Sequence, residues 1–441
     1  MDYLIIGSQL ILSLSILIVL HEFGHFLPAK FFKIKVEKFY LFFDPWFSLF
    51  KVQRGETEWG IGWLPLGGYV KIAGMIDESM DTEQMKLPPQ PWEFRSKPAW
   101  QRLIVMLGGV TVNFILGFFL YAMVLFAWGE MYLPTANAKY GVFADEFAQE
   151  MGFQTNDKIL SVDNEEVAIF KDIRLKIFKD ESKTVQVERN GQKTDITLPQ
   201  DLIGELASYK GPFIAAQFPC DLAGIADDGP AQKAGLQKDD RILSLNDTAV
   251  ASFYDFSTSI GDYKEKEVSL SILRGQDTLV KKITPNENGK IGILAHAEPH
   301  YFEFDTIKYS LGQSFPAGYH KSIDFLALQI NAFGKMFRGK VDASKSLGGF
   351  GSIAKMFGNT WDWRRFWYMT AILSLILGFM NLLPIPALDG GHVVFLLYEV
   401  ITGRKPSDKF LEYATMIGFV LIIGLVLYAN GLDVLRAIRG K

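Results

Sequence analysis

The chain has 441 residues, more than one ordinary domain, and 45 basic against 49 acidic residues give it a net charge of −4 and a pI near 6.0. That balance speaks against a nucleic-acid partner, which needs a basic surface. A hydrophobic content of 49% excludes a disordered chain, and the single cysteine, Cys220, excludes a disulfide scaffold, while a mean hydropathy of +0.13 indicates membrane segments joined to a sizeable water-exposed part.

From the N-terminus, Tyr3 to Leu20 carries no charged residue and runs directly into His21-Glu22-Phe23-Gly24-His25 and on to Phe32. A hydrocarbon core of about 30 Å needs about 20 apolar residues in a helix. The run lacks a positive start and a small-residue cleavage signal before His21, so it reads as a retained helix rather than a signal peptide. Positions i and i+4 of a helix share one face, so His21 and His25 can reach a single metal ion. Glu22 lies about 100° around the helix, a free carboxylate able to take a proton from water at the metal. Zinc is the usual ion of such a motif and keeps an open position for water. Ionisable groups at the end of an apolar run are costly in a membrane and mark function.

The following loop is rich in lysine and arginine, from Lys30, Lys33, Lys35 and Lys38 through Lys51, Arg54, Lys71, Lys86, Arg95 and Lys97 to Arg102. Within it, Gly67-Gly68-Tyr69-Val70-Lys71-Ile72-Ala73-Gly74 alternates between glycine boundaries, the pattern of a hairpin. A second apolar stretch runs from Leu103 to Trp128, a third from Phe366 to Leu383 and a fourth from Tyr413 to Tyr428. The basic first loop, with Arg404, Lys405 and Lys409 in the third, places both loops in the cytoplasm, and the long segment between spans two and three outside with both termini. Arg364, Arg365, Arg436, Arg439 and Lys441 count against this orientation, but the loop bias outweighs them.

The long segment repeats itself. Residues 148–167, AQEMGFQTNDKILSVDNEEV, align with residues 231–250, AQKAGLQKDDRILSLNDTAV, at an offset of 83 (231 minus 148). Each copy is followed by a strand, a turn at Asn190-Gly191 or Arg274-Gly275, and another strand, so two copies of one small β-rich domain are expected. Gly229-Pro230-Ala231 through Ala234-Gly235-Leu236 to Asp240 and Ile242 resembles a PDZ domain of the bacterial protease type, with Glu146-Phe147 replacing Gly-Pro in the first copy. PDZ grooves take an extended peptide, often by its terminal carboxylate. The second copy is therefore a candidate peptide or C-terminus site; the other reading is that the pair serves as a spacer or size filter.

The stretch from Tyr301 to Trp363 mixes aromatic, aliphatic and lysine residues and reads as amphipathic helices at the membrane interface. The third span meets Pro384 and Pro386 and must end or break there. Asp389-Gly390-Gly391-His392 follows the break, which can leave the Asp389 carboxylate at membrane depth, whereas Glu37 and Asp44 lie in the basic aromatic loop. Asp389 is thus the better third ligand; His392, a rival, ranks as a supporting or structural residue. His296, His300 and His320 read as ordinary.

Taken together, H-E-x-x-H in the first span, N-x-x-P-x-P-x-L-D-G-G at Asn381–Gly391 and the two PDZ-like repeats resemble the site-2 protease family of intramembrane zinc metalloproteases, in its regulator-of-sigma-E branch, over essentially the whole chain. The resemblance implies zinc held by His21, His25 and Asp389, with Glu22 catalytic. It implies substrate binding by Asn381 and by a membrane re-entrant β-loop at Gly67, Gly68, Tyr69 and Val70. In the second span, Leu107-Gly108-Gly109-Val110-Thr111-Val112-Asn113 has Val110 where the family has proline. The expected fold is a polytopic α-helical membrane protein with four spans, a membrane-associated β-loop and two inserted β-rich PDZ-like domains. Its expected divisions are 1–128, 129–211, 212–300, 301–363 and 364–441. The implied function is cleavage of single-span membrane proteins, such as anti-sigma factors and leftover signal peptides, within the lipid bilayer after prior trimming. The implied site is the bacterial inner membrane, with the PDZ-like domains periplasmic. The alternative is a catalytically inactive PDZ scaffold, against which Glu22 and the complete ligand set argue.

Overall fold

The computed structural model describes residues 2–65, 67–75, 88–206, 209, 211–296, 298–338 and 347–438; Lys86, Arg439 and Lys441 of the charge argument lie outside them. The chain divides into two compact units, one of Met1–Gly129 with Lys308–Lys441 and one of Glu130–Ile307. Among the described residues, four helices are long and apolar enough to cross a membrane: Leu4–Phe31, Ala99–Trp128, Trp363–Leu382 and Lys409–Ile438.

In the first unit, α1 (Asp2–Phe31) leads into a four-stranded sheet of β1 (Val36–Leu41), β2 (Phe43–Arg54), β3 (Thr57–Leu64) and β4 (Tyr69–Ile72) in the order β2-β3-β1-β4. Strands β1 and β3 pair in parallel, and β4 lies antiparallel to β1 with Phe39 opposite Val70. No described strand pairs with the far side of β4, so its backbone edge is open. The long helix α2 (Ala99–Trp128) begins after Pro98, which cannot continue a helix backwards, and stops at Gly129 in a positive-φ conformation. Helices α1 and α2 cross in backbone contact: a Cβ on Gly108 would lie 1.9 Å from the Gly24 carbonyl oxygen, and one on Gly24 2.5 Å from that of Gly108. Small residues permit this approach, which suits helices that cannot draw on a hydrophobic driving force in lipid.

The inserted unit holds β5 (Glu130–Tyr132), then the first repeat: β6 (Val142–Ala144), α3 (Glu146–Glu150), β7 (Lys158–Val162), α4 (Asp172–Lys179), β8 (Thr184–Arg189), β9 (Gln192–Thr197), α5 (Gln200–Leu206) and β10 (Ile214–Ala216). The second follows as β11 (Leu222–Ile225), α6 (Pro230–Lys233), β12 (Arg241–Leu245), β13 (Thr248–Ala249), α7 (Phe253–Ile260), β14 (Val268–Arg274), β15 (Asp277–Ile283) and β16 (Ile293–Ala295). Strands β7 and β12 occupy corresponding positions in the aligned sequences, and the sheets β7-β8-β9 and β13-β12-β14-β15 share one plan. Each repeat has its own core, around Phe153, Ile173 and Phe213 in the first and Leu222, Leu270 and Ile272 in the second. Because β10 pairs with β6, the first repeat extends past the division expected at 211/212. Likewise β17 (Asp305–Ile307) pairs with β5, and Tyr301 and Phe302 join an aromatic cluster with Phe218, so this unit extends past 300.

The chain returns to the first unit in α8 (Leu311–Phe337), started by a Ser310–Gln313 capping box. It lies along α2: a Cβ at Gly318 would fall 2.6 Å from the Ala122 nitrogen, and the Tyr319 ring centroid is 5.5 Å from that of Phe118. Then come α9 (Phe350–Met356), α10 (Trp363–Leu382), α11 (Asp389–Thr402) and α12 (Asp408–Ile438). The break at Pro384 and Pro386 separates α10 from α11, a helix of its own in which Asp389 is the first residue.

Candidate metal and catalytic centre

Three helices bring the motif residues together. From α1, His21 and His25 stand one turn apart, 8% and 6% exposed, as their spacing requires. From the start of α11 comes Asp389. The turn before it is tight: Ala387 has φ +82°, and side chains on Gly390 and Gly391 would strike the Leu383 and Ile385 carbonyl oxygens at 2.3 and 2.5 Å. The two glycines let α11 start directly beneath the proline turn, which sets the position of the carboxylate.

Helix α2 supplies the floor. Residues 105, 109 and 113 lie on one face at i, i+4 and i+8. The His25 Nδ1 is 2.8 Å from the Val105 carbonyl oxygen, which can only accept, so Nδ1 carries the proton and Nε2 presents a lone pair. Gly109 sits under both rings, where a Cβ would be 2.3 Å from His25 Nε2 and 2.6 Å from His21 Cε1. The Asn113 amide lies 2.9 Å from His21 Nδ1.

The three inward atoms form a nearly equilateral triangle. His21 Nε2 to His25 Nε2 is 3.3 Å, His21 Nε2 to Asp389 Oδ2 is 3.4 Å, and His25 Nε2 to Asp389 Oδ2 is 3.3 Å. A tetrahedral ion with bonds of about 2.0–2.1 Å separates its ligands by about 3.3–3.4 Å, so the triangle matches one face of a zinc tetrahedron. Asp389 Oδ2 is buried without a hydrogen-bond partner, an arrangement costly for a carboxylate oxygen unless a cation completes it. The donor set of two imidazoles and one carboxylate also suits zinc. Among the described residues, His21, His25 and Asp389 form the one group whose ligand atoms gather this closely; His392 is outside it.

The other sequence candidates divide. Asn381, at the end of α10, places Nδ2 3.3 Å from His21 Nε2 and so borders the triangle. The Val70 backbone N–H of the open strand β4 faces the Glu22 carboxylate, which brings that edge to the same place. Gly68 packs against α1, where a Cβ would meet Ile18 at 2.5 Å, and Tyr69 donates to Asp44 at 2.9 Å. Gly67 lies against the Phe43 ring. The support from Val105, Gly109 and Asn113 is not assigned by the residue reading, which names Asn113 only within the second-span motif and gives it no role. Its signal, small and polar residues at four-residue spacing in an apolar helix, is visible only once the helix is known to face the histidines. In the inserted unit, burial pushes the Cys220 thiol up to about 12, with Asp221 adding to the shift, so this cysteine is unreactive at neutral pH.

Residues 9–425 match the family model for peptidase family M50. The regulator of sigma E protease of Haemophilus influenzae is 28% identical over 457 residues, covering 99% of this chain and all of the relative. The regulator of sigma-E protease RseP of Escherichia coli K12 is 29% identical over 451 residues, with 96% and 97% of the two chains covered. A Neisseria meningitidis protein whose name describes a zinc metalloprotease is 28% identical over 450 residues, covering 97% and 98%. With alignment along nearly the whole length and buried donors spaced for a single ion, the chain belongs to peptidase family M50 and is a membrane metalloprotease.

Proposed function

We propose that the protein is a zinc-dependent endopeptidase that cleaves single-span membrane proteins inside the bilayer. The observation that carries the reading is the 3.3–3.4 Å triangle of His21, His25 and Asp389 within a bundle of apolar helices. His21, His25 and Asp389 hold the ion; when bound, zinc supplies Lewis acidity toward water and the scissile carbonyl. The Glu22 carboxylate takes a proton from the attacking water and delivers it to the leaving amine nitrogen, so the products are a new carboxylate and a new amine.

A helical substrate hides its carbonyls in internal hydrogen bonds and must unwind to be cut. The open edge of β4 offers backbone groups to the unwound stretch, with Tyr69 and Val70 along it and Gly67 and Gly68 leading into it. Asn381, beside His21, bonds the same backbone. The relatives named for sigma-E regulation support anti-sigma factors as one substrate class, with signal-peptide remnants as another. The loop charges support an orientation with the repeats outside the cytoplasm, and the relatives named for sigma-E regulation support a bacterial inner membrane with the repeats periplasmic. There the repeats act as PDZ-like modules that exclude bulky outer domains, which explains a need for earlier trimming, and the second copy takes a peptide or C-terminus.

The test compares wild type with Glu22→Gln on a tagged single-span substrate whose outer part is already short. Loss of the general base lowers the cleavage rate about 10²–10⁴-fold. Equal cleavage by both would remove the hydrolase reading and leave a membrane scaffold.

A further inference from the structure

The two imidazoles are fixed by different means. The carbonyl oxygen of Val105 leaves His25 no choice of tautomer. His21 has no such backbone acceptor at Nδ1; its neighbour there is the side-chain amide of Asn113, 0% exposed. As oriented, the amide nitrogen is 2.9 Å from Nδ1, and Oδ1 is buried without a hydrogen-bond partner. An N–H donated to Nδ1 requires the ring proton to sit on Nε2, and a protonated Nε2 is no metal ligand. A half-turn of the amide exchanges its oxygen and nitrogen at the same place. The oxygen then accepts from Nδ1–H, and the Nε2 lone pair faces Asp389 Oδ2 and His25 Nε2. The two amide orientations therefore select the two neutral tautomers of His21, and only one of them makes a ligand.

The surroundings fix the amide's location rather than its rotation. Ser374 donates to the Asn113 backbone carbonyl at 2.7 Å, and a Cβ added at Gly378 would lie 3.4 Å from the Asn113 Cβ, so the two backbones stand close here. On α10, residues 374, 378 and 381 share one face, so Asn113 sits between the helix carrying the two histidines and the helix ending at Asn381.

We infer that Asn113 is a positioning residue for metal binding, its side-chain oxygen holding the His21 ring so that Nε2 faces the ion. This rests on the zinc reading proposed above. Hydrogen-bond partners of this kind typically contribute 10–100-fold in metal affinity.

The experiment measures zinc affinity of the purified full-length protein in detergent by competition with a graded chelator, for wild type, Asn113→Leu, Asn113→Ala and Asn113→Asp. Leucine keeps the volume and removes the acceptor; aspartate restores an acceptor at the same reach. The expected result is affinity about 10–100-fold weaker for the leucine and alanine variants and within about threefold of wild type, or tighter, for aspartate. Unchanged affinity in leucine and alanine overturns the inference, and so does an aspartate variant as weak as they are, since a packing role alone gives no rescue. If leucine does not fold, the alanine–aspartate pair decides the matter. Wild type that binds no zinc at all would instead overturn the zinc reading, an outcome distinct from the others.

Discussion

In the inserted unit, Asp157 and Asp240 are 1% and 0% exposed, and each is completed by its own repeat. Asp157 accepts from Arg189 Nε and Nη2 at 2.7 Å each and from the Gln154 backbone N–H at 2.8 Å. Asp240 accepts from Arg274 at 2.7 and 2.8 Å and from the Gln237 N–H at 2.8 Å. In both repeats the same arginine goes on to donate to a glycine carbonyl, Gly152 or Gly235, at 2.9 Å. In the membrane unit, Asp389 faces two imidazoles with no guanidinium, and its Oδ2 has no donor. One pattern closes on itself and holds a loop to a strand. The other leaves Asp389 Oδ2 without a hydrogen-bond partner among the described residues. A buried carboxylate is thus a sign of function only where its hydrogen bonding is incomplete.

The sharpest break of this comparison is Asp389→Ala. It should lower cleavage of the trimmed single-span substrate to background and reduce bound zinc, while the melting of the inserted unit stays unchanged. Unchanged zinc would move the third ligand elsewhere. Asp157→Ala should do the reverse. Removing one partner of a buried pair costs about 3 kcal/mol here, at the lower end because Arg189 keeps access to water, and lowers the melting temperature of the inserted unit by about 6–12 °C. Zinc affinity of the protein should not move. A zinc loss comparable to that of Asp389→Ala would mean that the two kinds of aspartate are not separate in role.

How far the sequence could reach follows the same division. The His21–His25 spacing is local, one helical turn, and so was readable directly. Asp389 is readable because two prolines announce a broken helix, whereas nothing in the sequence reading assigns Asp389–Thr402 to a helix of its own. The repeats were legible from Gly152/Gly235 and Asp157/Asp240 at a constant offset of 83. Their arginine partners were not, since Arg189 and Arg274 stand 85 apart, after a two-residue difference in the intervening segment. The strand Ile214–Ala216 was assigned across the division because its pairing with Val142–Ala144 joins residues some 70 positions apart, and three-residue strands carry little pattern. Asn113 and Gly109 went unassigned for a like reason: their meaning depends on which face of α2 meets α1, which no spacing within α2 reveals.

The smallest expected effect separates the repeats' carboxylates by acid. Burial alone would raise Asp240, but its hydrogen bonds to Arg274 and the Gln237 N–H outweigh this and hold the carboxyl below its ordinary range. A carboxylate lowered in the folded state contributes stability above its unfolded value of about 3.9, and that contribution is lost as pH falls through the folded value. The inserted unit should therefore melt at a constant temperature as pH falls from 7 to about 5 and at steadily lower temperatures below about 4. Burial alone would raise Asp163 and Asp221 too, but the Thr184 and Lys183 N–H groups hold the first below its ordinary range and Arg241 holds the second there, so both add to the same slope. Asp240→Asn keeps the shape, removes one titrating group, and should flatten the acid limb while lowering stability at pH 7. An acid limb equally steep in the variant would place the proton uptake elsewhere and leave Asp240 as a packing residue that happens to face an arginine.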